Sequence, residues 1–248
     1  SPQLLCLSCH DKAALGMDKT HAHTAAKDGD CTGCHNPHGS DRSKLISSRA
    51  VLRVFNGENV MVAPRLTDQR ASLCVTCHQG FRETIIKGDA HKPVRDGQCE
   101  ACHASHGSDE PGFVKLPAPA LCAQCHTVDP ALEAKHGGYT LANADCLGCH
   151  NPHISSAPKL VRSMSHPPFA DKSCDNCHEK TENGTVKLSG TVNEVCSSCH
   201  DNIVADLKLP NLHPPFESGE CTGCHRVHAA DQPKLLSSEA SQLCLRCH

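Results

Sequence analysis

The chain has 248 residues, of which twenty are cysteine and twenty histidine, and it carries a formal charge of −3. That charge, with no basic run, excludes a nucleic-acid surface built on Lys and Arg. With no Trp, one Tyr and five Phe, the composition also excludes one large aliphatic core.

The first element is "SPQLLCLSCH": Cys6 and Cys9 at C-x-x-C spacing, then His10. The same unit returns as Cys31, Cys34 and His35; Cys74, Cys77 and His78; Cys99, Cys102 and His103; Cys122, Cys125 and His126. It continues as Cys146, Cys149 and His150; Cys174, Cys177 and His178; Cys196, Cys199 and His200; Cys221, Cys224 and His225; Cys244, Cys247 and His248. No cysteine is left over for a disulfide. C-x-x-C-H is a c-type haem attachment site: two thiols add across the vinyl groups, and the next histidine becomes the proximal iron ligand. Half a zinc site or a redox dithiol also uses C-x-x-C, but neither needs histidine in the next position. Ten such motifs predict haem c, ten per chain. Flat, bonded porphyrins would supply the missing apolar surface, so short helices, irregular backbone and little sheet are expected.

Further along the chain the motifs fall into two types. One follows an aliphatic residue ("LCLSCH", "LCVTCH", "LCAQCH", "VCSSCH", "LCLRCH"). The other has a histidine upstream and usually one downstream, as in "HTAAKDGDCTGCHNPH", "HKPVRDGQCEACHASH" and "HPPFESGECTGCHRVH". They alternate, except that the Cys146 and Cys174 motifs are both of the second type, and Thr181 replaces the downstream histidine of the latter. Between His35 and Cys74 lies "VLRVFNGENVMV", whose alternation around Asn56-Gly57 predicts a hairpin; Asn183-Gly184 predicts another. Tails such as "HISSAPKLV" and "HAADQPKLL" recur, and their Leu and Val are expected to cover haem faces. The motifs at Cys74, Cys99 and Cys122 reappear 122 residues later at Cys196, Cys221 and Cys244. This indicates a duplication, with pentahaem halves at 1–126 and 127–248 in a continuous array that need not be two domains.

Ten histidines lie outside the motifs: His21, His23, His38, His91, His106, His136, His153, His166, His213 and His228. Ten six-coordinate irons need ten distal ligands, so the count closes on bis-histidine ligation. His23, His91, His166 and His213 stand eight residues before a first cysteine, and His136 stands ten before. Each has the reach to close its own haem. His38, His106, His153 and His228 follow a proximal histidine by three residues. That is too close for the same iron, so each is expected on a neighbouring haem: those of Cys6, Cys74, Cys122 and Cys196 respectively. His21 and the haem of Cys244 then remain, and His21 of one subunit could close the last haem of the next, an open head-to-tail contact. The alternative is that His21 closes the first haem of its own chain.

The alternating motifs "LC-x-x-CH … GxC-x-x-CHxPHGS" resemble the doubled C-x-x-C-H group of multihaem cytochromes c, over essentially the whole chain. That class includes decahaem cytochromes of outer-membrane porin conduits and subunits of extracellular cytochrome filaments. The resemblance implies long-range electron transfer through an elongated stack of closely spaced haems, with other redox proteins or extracellular acceptors as partners. A filament subunit, a barrel-enclosed conduit and a periplasmic shuttle all fit it. A multihaem reductase would need an open iron, which the histidine count does not leave, so no catalytic residue is expected. Covalent haem attachment places the chain outside the cytoplasm, in the envelope or beyond. The sequence shows neither a secretory signal nor a membrane span, and "SPQLLCLSCH" reads as a mature or trimmed start.

Overall fold

In the computed structural model the described residues are 2–47, 73–75, 77–87, 89–180 and 185–248. The hairpin expected around Asn56-Gly57 lies outside them. Elements are short, as the composition predicts. The longest described helix is Gln79–Lys87, and strands run two or three residues. Among the described residues no helix is long and apolar enough to cross a membrane. The chain divides into two compact units, Ser1–Cys122 with Pro152–Ile154, and Ala123–Asn151 with Ser155–His248.

One local pattern precedes the second-type motifs at Cys31, Cys99, Cys174 and Cys221. The upstream histidine has extended backbone and caps a helix of four residues: His23 before Thr24–Lys27, His91 before Lys92–Arg95, His166 before Pro167–Ala170 and His213 before Pro214–Glu217. Proline in the first turn of the last three suits a helix start, because its missing N–H would be unpaired there anyway. Six residues after each histidine the backbone turns left-handed, at Gly29, Gly97, Lys172 and Gly219. Each helix is thereby stopped and the chain released into the motif.

A second pattern follows the motifs at Cys31, Cys99, Cys146 and Cys221. Two consecutive left-handed residues make a tight turn at Lys44-Leu45, Gly112-Phe113, Lys159-Leu160 and Lys234-Leu235. The chain then returns antiparallel to the motif histidine, pairing His35 with Ile46, His103 with Val114, His150 with Val161 and His225 with Leu236. After the Cys174 motif an antiparallel hairpin replaces that turn: β6 (His178–Lys180) pairs with β7 (Val186–Leu188). This is the hairpin expected around Asn183-Gly184, although those two residues lie outside the described set.

Short ladders join one second-type motif to the next. In the first unit β1 (His21–Ala22) runs antiparallel to β3 (Gly107–Ser108), and the His23 N–H donates to the His106 carbonyl at 2.8 Å. In the second, β5 (Met164–Ser165) runs antiparallel to β8 (Ala229–Ala230), and the His166 N–H donates to the His228 carbonyl at 2.8 Å. A carboxylate clasps each ladder. Asp109 accepts from Lys19 Nζ and from the N–H and hydroxyl of Thr20. Asp231 does the same for Arg162 and Ser163.

Gly107 is required by close approach: a Cβ there would meet the Gly16 carbonyl oxygen at 2.3 Å and that of His21 at 3.0 Å. Gly107→Ala is expected to push β1 away at a cost of about 1–3 kcal/mol, read as faster amide exchange at His23. The Lys19 ammonium holds the Asp109 carboxyl below its ordinary range. Its contribution is therefore present above the unfolded pKa of about 3.9 and lost as pH falls through the lower, folded value. Amide exchange at His23 should rise on acidification, and Asp109→Asn should remove that component of the pH dependence.

The described polypeptide encloses little apolar matter. Among the described residues only Met17, Val75, Ile154, Ala229 and Ala230 are buried apolar side chains, while Leu4, Leu5 and Leu245 are more than 70 % exposed.

Candidate haem centres

Eight of the motifs close on themselves as a turn of helix does. The histidine N–H donates to the carbonyl of the first cysteine, at 2.9 to 3.1 Å for His10, His35, His78, His103, His150, His200, His225 and His248. One turn keeps both thiols and the imidazole within a single short arc.

Opposite the motif histidines stand the free ones. Ring centres are 6.3 Å apart for His23 and His78, 6.0 Å for His35 and His106, and 5.8 Å for His103 and His153. In the second unit they are 6.2 Å for His136 and His150, 6.1 Å for His166 and His200, 5.8 Å for His178 and His228, and 5.9 Å for His213 and His248. A ring nitrogen holds a metal at about 2 Å and lies about 1 Å from its ring centre, so two imidazoles on opposite sides of one metal have centres about 6 Å apart. Ordinary aromatic contacts span about 4.5–7 Å, so distance alone does not decide. Composition does: each pair takes one histidine from a C-x-x-C-H and one from outside the motifs. The residues therefore fit a bis-histidine haem iron, with the two cysteines of each motif as its covalent anchors.

The imidazoles are held for that role. Motif Nδ1 atoms face the carbonyls of the left-handed turn nine residues on: His35 to Lys44 at 2.8 Å, His103 to Gly112 at 2.8 Å, His150 to Lys159 at 3.0 Å and His225 to Lys234 at 2.9 Å. His136 Nδ1 faces the Leu132 carbonyl at 2.9 Å. Such a bond fixes the tautomer and leaves Nε2 for the metal. Phe113 lies against His23, Phe81 against His153 and Phe169 against His228. Burial pushes the pKa values of His23, His106, His153, His166 and His228 down, toward the neutral form that binds metal. The bracing carbonyls were missed in the sequence. The signal was the recurring tail, read there only as apolar cover.

The pairing differs from the sequence expectation in most places. His136 does face the histidine of its own motif. His23, His166 and His213 instead face the histidine of the next first-type motif, at Cys74, Cys196 and Cys244. The short helix after each of these histidines advances only about 1.5 Å per residue, so the chain does not wrap its own site. The Cys99 site is faced by His153 and not by His91, whose counterpart 122 residues on, His213, faces His248. His106 faces the Cys31 site rather than that of Cys74, His153 the Cys99 site rather than Cys122, and His228 the Cys174 site rather than Cys196. The ladders explain two of these: β3 carries His106, and β8 carries His228, back to the preceding second-type motif. The Cys244 site is thus faced by His213 of its own chain, in the place where the sequence reading put His21 of a neighbouring copy. His10, His225, His21 and His38 face no other histidine among the described residues, and the structure brings none of them together.

Thiol contacts show which motifs adjoin. Burial and the neighbouring Cys6 thiol push the Cys31 thiol up, burial and the neighbouring Cys221 thiol push Cys196 up, and the neighbouring Cys99 thiol together with burial pushes Cys74 up. Each first-type motif in these pairs lies against the second-type motif that follows it.

These features define a multihaem c-type cytochrome. The family described as "Doubled CXXCH motif" matches residues 23–83, 91–131, 166–205 and 213–248, and the chain belongs to it. Each match starts on an upstream histidine and takes in two motifs, leaving those of Cys6 and Cys146 outside. The chain is also 28 % identical over 183 residues to "Multiheme cytochrome MtrA" of Shewanella baltica (strain OS185), covering 70 % of this chain and 51 % of that protein. It is 27 % identical over 161 residues to "High-molecular-weight cytochrome c" of Nitratidesulfovibrio vulgaris (strain Hildenborough), covering 64 % of this chain and 27 % of that protein. The chain thus spans about half and about a quarter of these relatives.

Proposed function

We propose that this protein carries electrons along ten covalently held bis-histidine c-type haems, outside the cytoplasm, as a head-to-tail polymer, and that it is not itself an enzyme. The observation that carries the electron-transfer reading is the set of paired imidazoles, each with one histidine from a motif and one from elsewhere. When bound there, haem iron supplies a one-electron couple whose potential depends on its axial ligands and burial. The chain's own residues anchor, brace and space these centres. His103 and His106, three residues apart, face two different histidines, His153 and His35. One turn of chain therefore sets two centres side by side.

The polymer reading rests on register. Downstream histidines face the preceding second-type motif, and His38 and His225 face no other histidine among the described residues. Placed head to tail, His38 of one copy would stand to the Cys221 site of the next as His106 stands to that of Cys31. His21, between the Cys6 and Cys31 motifs, then falls to the Cys6 site. A contact of this kind does not close on itself and propagates as a filament. Its partners would be further copies and other redox proteins or extracellular acceptors.

Intact mass should give ten haems per chain with purely low-spin spectra; a high-spin ferric signal would favour the reductase reading. His38→Ala should leave single subunits with an altered Cys221 site. Unchanged assembly with that site intact would reject the polymer and leave a single-chain conduit.

A further inference from the structure

The five second-type motifs are not equivalent. In four, the motif histidine has its Nδ1 against a carbonyl of the left-handed turn. In the fifth, His178 Nδ1 is buried and has no hydrogen-bond partner among the described residues. The cause is visible in the backbone. Ser47, Lys115, Arg162 and Ser237 each close their loop by donating to the carbonyl of the second motif cysteine, and Ser189 does so to Cys177 at 3.0 Å. The loop ending at Ser189 is one residue shorter than its siblings. It pairs His178 with Leu188 in a ladder, where the others turn left-handed and aim a carbonyl at the ring. The bracing carbonyl is therefore lost while the ring keeps its place, 5.8 Å from His228.

We infer that the Cys174–Cys177 site is the redox outlier of the second-type set, with a higher reduction potential than the Cys31, Cys99, Cys146 and Cys221 sites. An Nδ1–H bond to a carbonyl raises the basicity of Nε2, and a more basic axial ligand favours the ferric state. Without that bond the ferrous state gains. The couple compared is one electron, ferric to ferrous, with no proton moved at Nδ1. This inference rests on the bis-histidine reading. In a row of otherwise similar centres it makes the Cys174 site the place where an electron rests.

The test is a redox titration of the holoprotein at an electrode, with each site assigned by paramagnetic NMR. The expected result is that the Cys174 site is reduced before the four braced second-type sites. A graft replacing residues 179–188 by the sequence of residues 226–236, with threonine kept at its third position, restores the turn and should lower that potential toward the siblings. A wild-type potential within or below the sibling range, or a folded graft that leaves it unchanged, would overturn the inference. If the graft does not fold, the wild-type order decides alone. Peptide mass separates the underlying reading: haem absent from the Cys174–Cys177 peptide, or a centre there without two histidine ligands, would reject the ligation itself.

Discussion

Replacing His106 with methionine is expected to alter the haem at Cys31 and Cys34, and to leave those at Cys74 and Cys99 as they were. By chain distance this is the least obvious outcome, since His106 is three residues from His103 and 71 from His35. The ring geometry favours it: His106 stands 6.0 Å from His35, while His103 has His153 at 5.8 Å and His78 has His23 at 6.3 Å. One low-spin bis-histidine signal should be exchanged for a histidine–methionine one at raised potential, with the remaining centres unchanged. The control is the same substitution in a chain lacking Cys31 and Cys34, where the spectral change should vanish. A change at the Cys74 or Cys99 haem would show that the pairing across β1 and β3 is misassigned.

The second large effect concerns folding. A chain made where haem is not attached is expected to have no stable structure. The five apolar residues enclosed among the described ones, two of them alanine, cannot offset the ordering entropy of the described chain, which is about 1–2 kcal/mol per residue for the backbone alone. The ladders are two or three residues long, and helices this short are unstable alone in water. The unattached chain should lack amide protection, and its radius of gyration should approach the unfolded expectation of about 55 Å, against about 18 Å for a compact chain of this length. A cooperative melt of the haem-free protein would show that the polypeptide holds a core of its own.

The anchors and proximal ligands were legible in the sequence because they are local. Cys31, Cys34 and His35 lie within one helical turn, and no distant contact is needed to place them. The distal histidines could be counted but not matched. Their partners depend on Ala22 lying opposite Gly107 and Ser165 opposite Ala229, and two-residue ladders leave no periodic trace. Reach was the wrong criterion for His23: twelve residues suffice to span a porphyrin, but the helix Thr24–Lys27 takes up the slack. Thr181 was visible as a departure. The missing brace at His178 was not, because the loss is of a backbone carbonyl, which no side chain announces.

The ladder that seats His106 over the Cys31 site also makes the chain unlike beads on a string. Every motif paired in this way takes its facing histidine from a neighbour further along, as links in chain mail are closed by the ring beside them. Excising one motif therefore opens a second, intact one elsewhere. Such an array can lengthen or shorten only by whole stitches that carry both a ligand given and a ligand received. The Cys146 motif fits that constraint, since it is accompanied both by His136, which faces its own His150, and by His153, which faces His103 of another motif.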